Sequence, residues 1–363
     1  MRVFYVLSSA FLFLTGCANN TSQQQPTTTV VTPATKQSFA DWLQDFRVEA
    51  LEKGISTKTI YAVLSNIEPS DKVIALDRRQ MEFILTLPEY QARVLTPKRI
   101  GEGRQNLAMH HKVLDAIAKD SGVPPEVIVA LWGMETNYGK NTGGFSVINA
   151  LATLAWDGRR SAYFRNELLA ALKILDSGSI TPERFTGSWA GAMGQCQFMP
   201  NTYLNHAVDF DRDGRRDIWG TTADVLASAA NYLKNSGWQK DKAIAIPVIG
   251  NKDLQPGTIQ EPLNTWTAKG ITPAQGALPL TALGDTARLV IPDAATPERA
   301  YLVGKNYEAI LTWNRSHRFA LTVAELARQI HPLTTSTTHK AHKTRKAVKS
   351  KTHSHKQKKK HHP

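Results

Sequence analysis

The sequence is poor in cysteine, in long hydrophobic runs and, towards its C-terminal end, in acidic residues. Of 363 residues only Cys17 and Cys196 are cysteines, which excludes a disulfide-stapled scaffold and a zinc site built from four cysteines. The N-terminal apolar stretch, residues 3–14, is too short to cross a bilayer comfortably as a helix. The hydrophobic content of 42% is ordinary, so a wholly disordered chain is excluded and one large domain or two lobes are expected.

The positive charge is concentrated in one segment. Residues 340–360 contain nine lysines, one arginine and no acid, so they hold ten of the thirteen net positive charges and only +3 remains elsewhere. Residues 332–363 also have almost no apolar side chains and are predicted to be a disordered Lys/His-rich tail. This tail is either a solvated extension or an electrostatic contact to an anionic wall polymer or lipid surface.

The N-terminus has the pattern of a secretory signal. A positive start, the apolar run and small residues before Cys17 predict a signal peptide over residues 1–16. The sequence Leu-Thr-Gly-Cys resembles a bacterial lipobox, which implies that Cys17 is lipidated; the alternative is an ordinary signal with an incidental cysteine. Ala18 follows where an aspartate would resemble an inner-membrane signal, so an outer-membrane lipoprotein facing the periplasm is expected. Residues 17–38 are polar and predict a flexible tether. Nucleic acid is not an expected partner in that compartment.

The intervening residues, 39–331, predict a single α+β body that is mainly α. Apolar residues recur at helical spacing from Phe39 onward, and Ser56 has the position of a helix cap. Further helices are predicted over residues 103–120, 125–137, 161–176, 221–236 and 306–330. Between residues 242 and 303 short β-prone pieces alternate with glycine and proline turns, which predicts a small mixed insertion.

Glu135 lies near the end of the strongly apolar predicted helix 125–137. Leu131 and Trp132 precede it by four and three positions, so they lie one turn away on the same face. Partial desolvation raises the pKa of such a carboxyl group and keeps it protonated near neutral pH, as a general acid requires. The alternative is a structural glutamate that is hydrogen-bonded at a helix end.

Several blocks of sequence give the chain a specific resemblance. They are ETNYG at 135–139, GSWAGAMGQCQFMP at 187–200, DRRQMEF at 77–83, RRSAYF at 159–164 and WNRS at 313–316. Together they resemble the membrane-bound lytic murein transglycosylase B family, in the family's order and over residues 39–330. The resemblance implies a lysozyme-like helical catalytic domain with a small mixed α/β C-terminal insertion.

The resemblance also implies a reaction on peptidoglycan glycan strands. The expected step cleaves the β-1,4 bond between N-acetylmuramic acid and N-acetylglucosamine and leaves a 1,6-anhydro sugar without consuming water. Most glycosidases need two carboxylates, whereas here Glu135 is the one obvious candidate. One is enough if the substrate's N-acetyl group assists at C1 and its own 6-hydroxyl attacks. No cofactor is required for this chemistry.

Other site residues follow from the same resemblance. Tyr138, Arg160, Ser188, Gln197 and Asn314 match positions that line the family's sugar-binding cleft. For each, a role in maintaining the fold is the alternative, such as a tight turn at Ser188 or a helix cap at Asn314.

The chain departs from the family pattern at three positions. Cys196 stands where a small or hydroxylated residue is usual, and a buried inert thiol is the expected outcome there. Trp313 and Phe319 stand where tyrosines are expected. Neither side chain carries a hydroxyl group that could contact the substrate.

An aspartate-rich loop predicts a weak calcium site. Asp209, Asp211 and Asp213 occupy the first, third and fifth positions of an EF-hand-like loop, but the twelfth position lacks the usual bidentate glutamate. The resemblance implies that the Arg215 carbonyl and Asp224 complete the shell. A weak calcium site in loop 209–224, or a sodium-tolerant one, is expected in a structural role; the alternative is a turn whose acids pair with nearby arginines.

Two other functions remain open from the sequence. One is a peptidoglycan-binding lipoprotein that has lost its chemistry, against which the apolar setting of Glu135 argues. The other is a lysozyme-like hydrolase, which needs a second carboxylate across the cleft. No acid outside the aspartate loop sits in a comparable motif.

Overall fold

The computed structural model describes residues 37–78, 85–250, 260–293 and 299–331. The chain divides into two units, residues 1–331 and 332–363, and every described residue belongs to the first. The predicted signal peptide, Cys17, most of the predicted tether and the Lys/His-rich tail lie outside the described residues. Their boundaries stay predictions.

Helices make up most of the described chain. In order they are α1 (Phe39–Glu52), α2 (Thr57–Leu64), α3 (Asp71–Arg78), α4 (Leu87–Val94), α5 (Pro97–Met109), α6 (His111–Ser121), α7 (Pro125–Thr136), α8 (Val147–Asp157), α9 (Ser161–Asp176), α10 (Pro200–His206), α11 (Thr222–Asn235), α12 (Leu263–Ala268), α13 (Lys305–Trp313) and α14 (His317–Ile330). No helix within the described ranges has the length and apolar character that crossing a membrane requires.

The strands form two small antiparallel sheets. They are β1 (Phe145–Ser146), β2 (Thr186–Gly187), β3 (Ala245–Ile249), β4 (Glu261–Pro262), β5 (Thr272–Pro273), β6 (Thr286–Val290) and β7 (Ala300–Val303). β1 pairs with β2, and the other five follow the order β4-β6-β7-β3-β5. In the larger sheet Ile246 and Val248 of β3 alternate with exposed neighbours and join Leu289 of β6 in a separate small apolar cluster. The mixed insertion predicted for residues 242–303 is confirmed, as is the mainly α composition.

Helix α7 forms the centre of the helical body. Its residues from Val127 to Thr136 are all buried, and α5, α6, α11 and α14 pack around it. Pro125 begins the helix, where a missing backbone N–H costs nothing, and Asn137 ends it with a left-handed backbone of φ 52°. A helix that is buried on all sides carries its last turn, with Glu135, into the interior.

The helix boundaries differ from the sequence-based prediction in two ways. The single helix expected over residues 103–120 is wrong, because α5 and α6 meet at His110, where φ is −101° and ψ is 13°. α5 also starts earlier, since Thr96 caps it and Pro97 fits its first turn. Likewise α13 and α14 divide the predicted helix 306–330 at Asn314.

Helices α3, α4, α8, α10 and α12 have no counterpart among the predicted helices. Helix α8 carried a signal that the prediction overlooked, because Asn149, Thr153 and Asp157 recur every four residues among apolar side chains.

Candidate active site

Glu135 is a nearly buried carboxyl group in the last turn of α7. Its side chain belongs to a residue that is only 4% exposed, and its Oε1 accepts a hydrogen bond of 2.8 Å from the indole Nε1 of Trp313. Trp313 is the last residue of α13, 178 positions away in the chain. Tertiary packing therefore supplies the hydrogen-bond donor.

Burial raises the pKa of Glu135 to about 8, and the Trp313 hydrogen bond opposes part of that rise. Neither cause is a second carboxylate. A carboxyl group with such a pKa is largely protonated at neutral pH and can both give and regain a proton. The desolvation expected for Glu135 is confirmed.

The negative charge of Glu135 contributes to raising the pKa of two further side chains. Tyr90 on α4 has its pKa raised to about 12, first by burial and then by Glu135. The Cys196 thiol is fully buried, and the same two causes raise its pKa. Cys196 donates to the Val225 carbonyl oxygen at 3.2 Å, which agrees with an inert buried thiol. No sequence signal marked Tyr90, which follows an ordinary helix start.

The wall around Trp313 is aromatic. Its ring centroid lies 5.3 Å from that of Phe198 and 4.9 Å from that of Tyr232. The Tyr232 hydroxyl donates to the Thr312 carbonyl oxygen at 2.7 Å, so it braces the end of α13. These contacts fix the indole in the orientation that reaches Glu135.

The loop from Gly187 to Phe198 is folded back on itself beside α7. Isolated β-bridges join Gly187 to Met193 and Met193 to Phe198. β1 pairs with β2 immediately before this loop, with Phe145 opposite Gly187. The segment that follows α7 and the glycine-rich loop are thereby held side by side.

Gly143 allows this close approach. Its φ of 96° favours glycine, and a Cβ atom there would lie 2.1 Å from the Gly187 carbonyl oxygen. Ser188 comes directly after this contact, and its Oγ accepts from the backbone amides of Ala190 at 3.3 Å and Ala192 at 3.0 Å. Ser188 thus stabilises a tight turn, which is the alternative role in the fold that the sequence left open for it.

Gln195 links α7 to the loop, a role that the sequence analysis missed. Its Oε1 accepts from Trp132 Nε1 at 2.9 Å and its Nε2 donates to the Trp219 carbonyl oxygen at 2.9 Å. The Gln195 backbone carbonyl accepts from the Thr136 hydroxyl at 3.0 Å. No feature of the local sequence indicated these partners.

Tyr138 is buried, and its hydroxyl group is hydrogen-bonded within the protein. Its hydroxyl donates to the Arg99 carbonyl oxygen at 2.8 Å, and its ring lies edge-on to Trp132 at 5.6 Å. The ring packs so closely that a Cβ on Gly133 would lie 2.7 Å from it. Its contact with substrate stays a prediction, and in this structure its hydroxyl shapes the end of α7.

Gln197 and Asn314 each leave one polar atom without a protein partner in the described chain. Gln197, at φ 52°, donates through Nε2 to the carbonyl oxygens of Thr142 and Gly194, both at 3.0 Å, and its Oε1 accepts nothing. Asn314 accepts at Oδ1 from the Ser316 amide at 3.1 Å, while its Nδ2 donates to nothing. Neither atom is fully buried. Both are therefore open to a ligand.

Arg160 is held by a buried aspartate. Its Nη2 lies 2.6 Å from Asp77 Oδ1, and Arg159 Nε lies 2.8 Å from Asp77 Oδ2. The Arg160 guanidinium also covers the Phe164 ring at 4.7 Å. Asp77 is 1% exposed, so both arginines neutralise a charge that burial alone would make costly. Residues 79–83 of the block that begins at Asp77 lie outside the described residues.

The aspartate loop brings together three of its five predicted ligands. Oxygens of Asp209, Asp211 and Asp213 lie within 4.8 Å of one another. Asp224 stands apart from this group: it is fully buried, and its oxygens accept from the amides of Phe210 and Asp217, both at 2.8 Å. Burial raises the pKa of Asp224 while those amides lower it. Its place in a metal shell stays a prediction, and so does that of the Arg215 carbonyl.

Comparison with known proteins gives a consistent result. Residues 38–328 match the transglycosylase SLT domain family. The chain is 28% identical to membrane-bound lytic murein transglycosylase B of Escherichia coli K12 over 359 residues, covering 91% of this chain and 98% of that protein.

Two solved structures are also similar. Pseudomonas aeruginosa SltB3 in complex with NAG-anhNAM-pentapeptide is 40% identical, with a TM-score of 0.76, covering 81% of this chain and 80% of that one. Escherichia coli Slt35 in complex with calcium is 31% identical, with a TM-score of 0.70, covering 79% of this chain and 92% of that one. The similarity in both extends over most of the described body.

Proposed function

The chain belongs to the transglycosylase SLT domain family, and on that premise we propose that Glu135 is the single general acid and base of a peptidoglycan lytic transglycosylase. The lysozyme-like fold expected from the sequence is confirmed by the same similarities. The observation that carries the assignment is a nearly buried carboxyl group with a pKa of about 8 and one hydrogen-bond donor.

In the proposed reaction Glu135 acts twice, first as a general acid and then as a general base. Glu135 first donates it to the glycosidic oxygen as the bond from C1 of N-acetylmuramic acid to that oxygen breaks, with assistance from the N-acetyl group. The 6-hydroxyl oxygen of the same sugar then bonds to C1 and its proton passes to Glu135. The product is a 1,6-anhydro end, the enzyme regains its starting form, and no water is consumed.

Three predicted residues suit contacts with the glycan. Gln197 Oε1 and Asn314 Nδ2 are an unused acceptor and an unused donor. The Ser188 hydroxyl accepts two amide hydrogens and keeps its own hydrogen available. Sugar hydroxyls and acetamido groups need such paired donors and acceptors. Arg160 and Tyr138 are proposed as further contacts to the glycan on the family resemblance alone, since their polar groups are bonded to Asp77 and to the Arg99 carbonyl oxygen in this structure.

The product decides between the proposed reaction and its alternatives. Mature wild-type protein digesting purified peptidoglycan is expected to release muropeptides one water lighter than hydrolytic fragments, measured by mass spectrometry. Glu135→Gln keeps the size of the side chain but cannot donate the proton, so release should fall about 10³-fold. Wall sedimentation and circular dichroism are the controls for binding and folding.

Reducing muramic ends would instead establish a hydrolase. Wild-type protein that binds the wall but releases nothing would support a binding lipoprotein. Normal release of muropeptides by Glu135→Gln would show that Glu135 is not the general acid.

The membrane attachment rests on Cys17. The Escherichia coli relative is described as membrane-bound, and the lipobox-like sequence is the second reason to propose an outer-membrane lipoprotein facing the periplasm. Growth with an alkyne-labelled fatty acid should tag the wild type but not Cys17→Ser. Equal tagging of both would contradict lipidation at Cys17.

The proposed calcium site lies at Asp209, Asp211 and Asp213, whose oxygens cluster closely enough to share one ion. The related Slt35 was solved in complex with calcium. Exposed carboxylates without the bidentate glutamate suit weak binding. We assign the ion a structural role, because nothing connects it to the proton transfer at Glu135.

A further inference from the structure

The two carboxylate oxygens of Glu135 have different surroundings. Oε1 accepts from the Trp313 indole at 2.8 Å. Oε2 has no hydrogen-bond partner in the part of the chain that the structure describes, and it is not among the fully buried atoms that lack one. Oε2 is therefore the oxygen that solvent or substrate can reach.

An indole N–H can only donate a hydrogen bond. It has no lone pair in the ring plane with which to accept a proton, unlike the phenol hydroxyl of a tyrosine. While the Trp313 hydrogen bond lasts, Oε1 must present a lone pair to it. The carbonyl oxygen of a carboxylic acid accepts a hydrogen bond more strongly than its hydroxyl oxygen, so the acid form of Glu135 favours the proton on Oε2.

We infer that Trp313 is a positioning residue that makes Oε1 a fixed acceptor and Oε2 the oxygen that gives and regains the proton. This inference rests on the proposed function of Glu135. It depends on an indole held in place, and the rings of Phe198 and Tyr232 provide that support. A tyrosine at this position, which the family resemblance leads one to expect, would allow either direction of hydrogen bonding.

The same contact affects the acid strength of Glu135. A donor binds an ionised oxygen more strongly than a neutral one, so Trp313 favours the carboxylate and opposes the effect of burial. Removing the donor while keeping an aromatic ring should raise the pKa of Glu135.

Other titratable groups near α7 do not change charge in the same pH range. Burial raises the pKa of Tyr90 and of Cys196, and lowers that of His110 and of His317 below its usual 6.5. Arg99 on α5 stays charged, although burial lowers its pKa. The alkaline limb of the pH–activity profile therefore reports the loss of the proton from Glu135.

The test compares Trp313→Phe with Trp313→Tyr in the full mature chain. Trp313→Phe is expected to reduce kcat about 10-fold and to move the alkaline limb of kcat/KM about one pH unit upward. Trp313→Tyr restores a donor and should bring the limb back towards the wild-type position. Trp238→Phe is the matched control, since that indole donates at 3.1 Å to the Gly122 carbonyl oxygen and should leave the limb unmoved.

A loss of activity in Trp313→Phe without a shift of the limb would mean a structural role and overturn the inference. If Trp313→Phe does not fold, the indole proton of Trp313 in the wild type can be followed by NMR and identified by its absence in Trp313→Tyr. Its chemical shift should titrate with the midpoint of the activity limb; an invariant shift would also overturn the inference. Failure of the proposed function is separate, because only Glu135→Gln reports it.

Discussion

The surroundings of Glu135 and the aspartate loop are two acid-bearing regions that are built in opposite ways. Glu135 is a single carboxyl group, 4% exposed, with one side-chain donor and apolar neighbours. Asp209, Asp211 and Asp213 are three clustered carboxylates on the surface, and backbone amides of their own loop donate to them.

This difference shows how the surroundings set what a carboxyl group can do. Burial disfavours the charged form, so Glu135 keeps a proton that it can transfer. Carboxylate oxygens that cluster at the surface can share a cation. The same functional group serves proton transfer in one region and cation binding in the other.

The largest expected effect comes from disturbing the support of the Glu135 region. Gly143→Ala places a Cβ 2.1 Å from the Gly187 carbonyl oxygen at a φ of 96° and should lower the unfolding free energy by about 3 kcal/mol. Glycan cleavage should fall with it, because Ser188 follows that contact. Chemical denaturation and muropeptide release measure the two effects.

Gly144→Ala is the matched control for this substitution. No atom lies within 4 Å of a Cβ at Gly144, so stability and activity should remain near those of the wild type. Equal behaviour of the two variants would show that the close approach at Gly143 does not support the site.

A pH series sharpens the contrast between the buried and the exposed acids. The pKa of Glu135 is about 8 in the folded chain and near its usual 4.5 when unfolded. Its contribution to stability is therefore fully present below pH 4.5 and is lost as the pH rises through 8. Glu135→Gln should escape this loss and exceed the wild type in unfolding free energy by about 3 kcal/mol at pH 7, with little difference at pH 4.5.

Asp211→Asn provides the comparison in the exposed loop. It should change the unfolding free energy by a similar small amount at pH 4.5 and at pH 7, because Asp211 is exposed to solvent. A pH-independent difference between wild type and Glu135→Gln would contradict the burial account of Glu135.

The smallest expected effect concerns calcium and the aspartate loop. At ten times its dissociation constant, calcium should add about 1.4 kcal/mol of stability and raise the melting temperature by about 3 °C. Asp211→Ala should abolish that rise, while glycan cleavage by the wild type should survive chelation. Differential scanning calorimetry with and without calcium checks the first result.

Asp120→Ala serves as the control for general charge effects, since Asp120 is an exposed acid paired with Lys234 at 2.9 Å outside the loop. Its calcium-dependent rise should match that of the wild type. A rise that persists in Asp211→Ala would place the ion elsewhere.

Local sequence patterns predicted much of this protein. The helices carrying Glu135 and the 161–176 segment follow from apolar spacing and proline or cap positions, and the calcium-like loop follows from its alternating aspartates. Helix α8 was missed although Asn149, Thr153 and Asp157 recur at helical spacing between its apolar residues. Tyr90 and Gln195 were missed because nothing in their local sequence indicates the neighbours they meet.

The sequence by itself therefore determined that a glutamate lies one turn beyond Leu131 and Trp132 at the end of an apolar helix, since helical periodicity sets those positions over a few residues. Only the tertiary structure decided that Trp313 donates to that glutamate and that both oxygens of Asp224 are occupied by backbone amides. The physical reason is the short range of the hydrogen bond. Hydrogen bonds act over about 3 Å in space, and the packing of separate helices and loops decides which distant residues come within that distance.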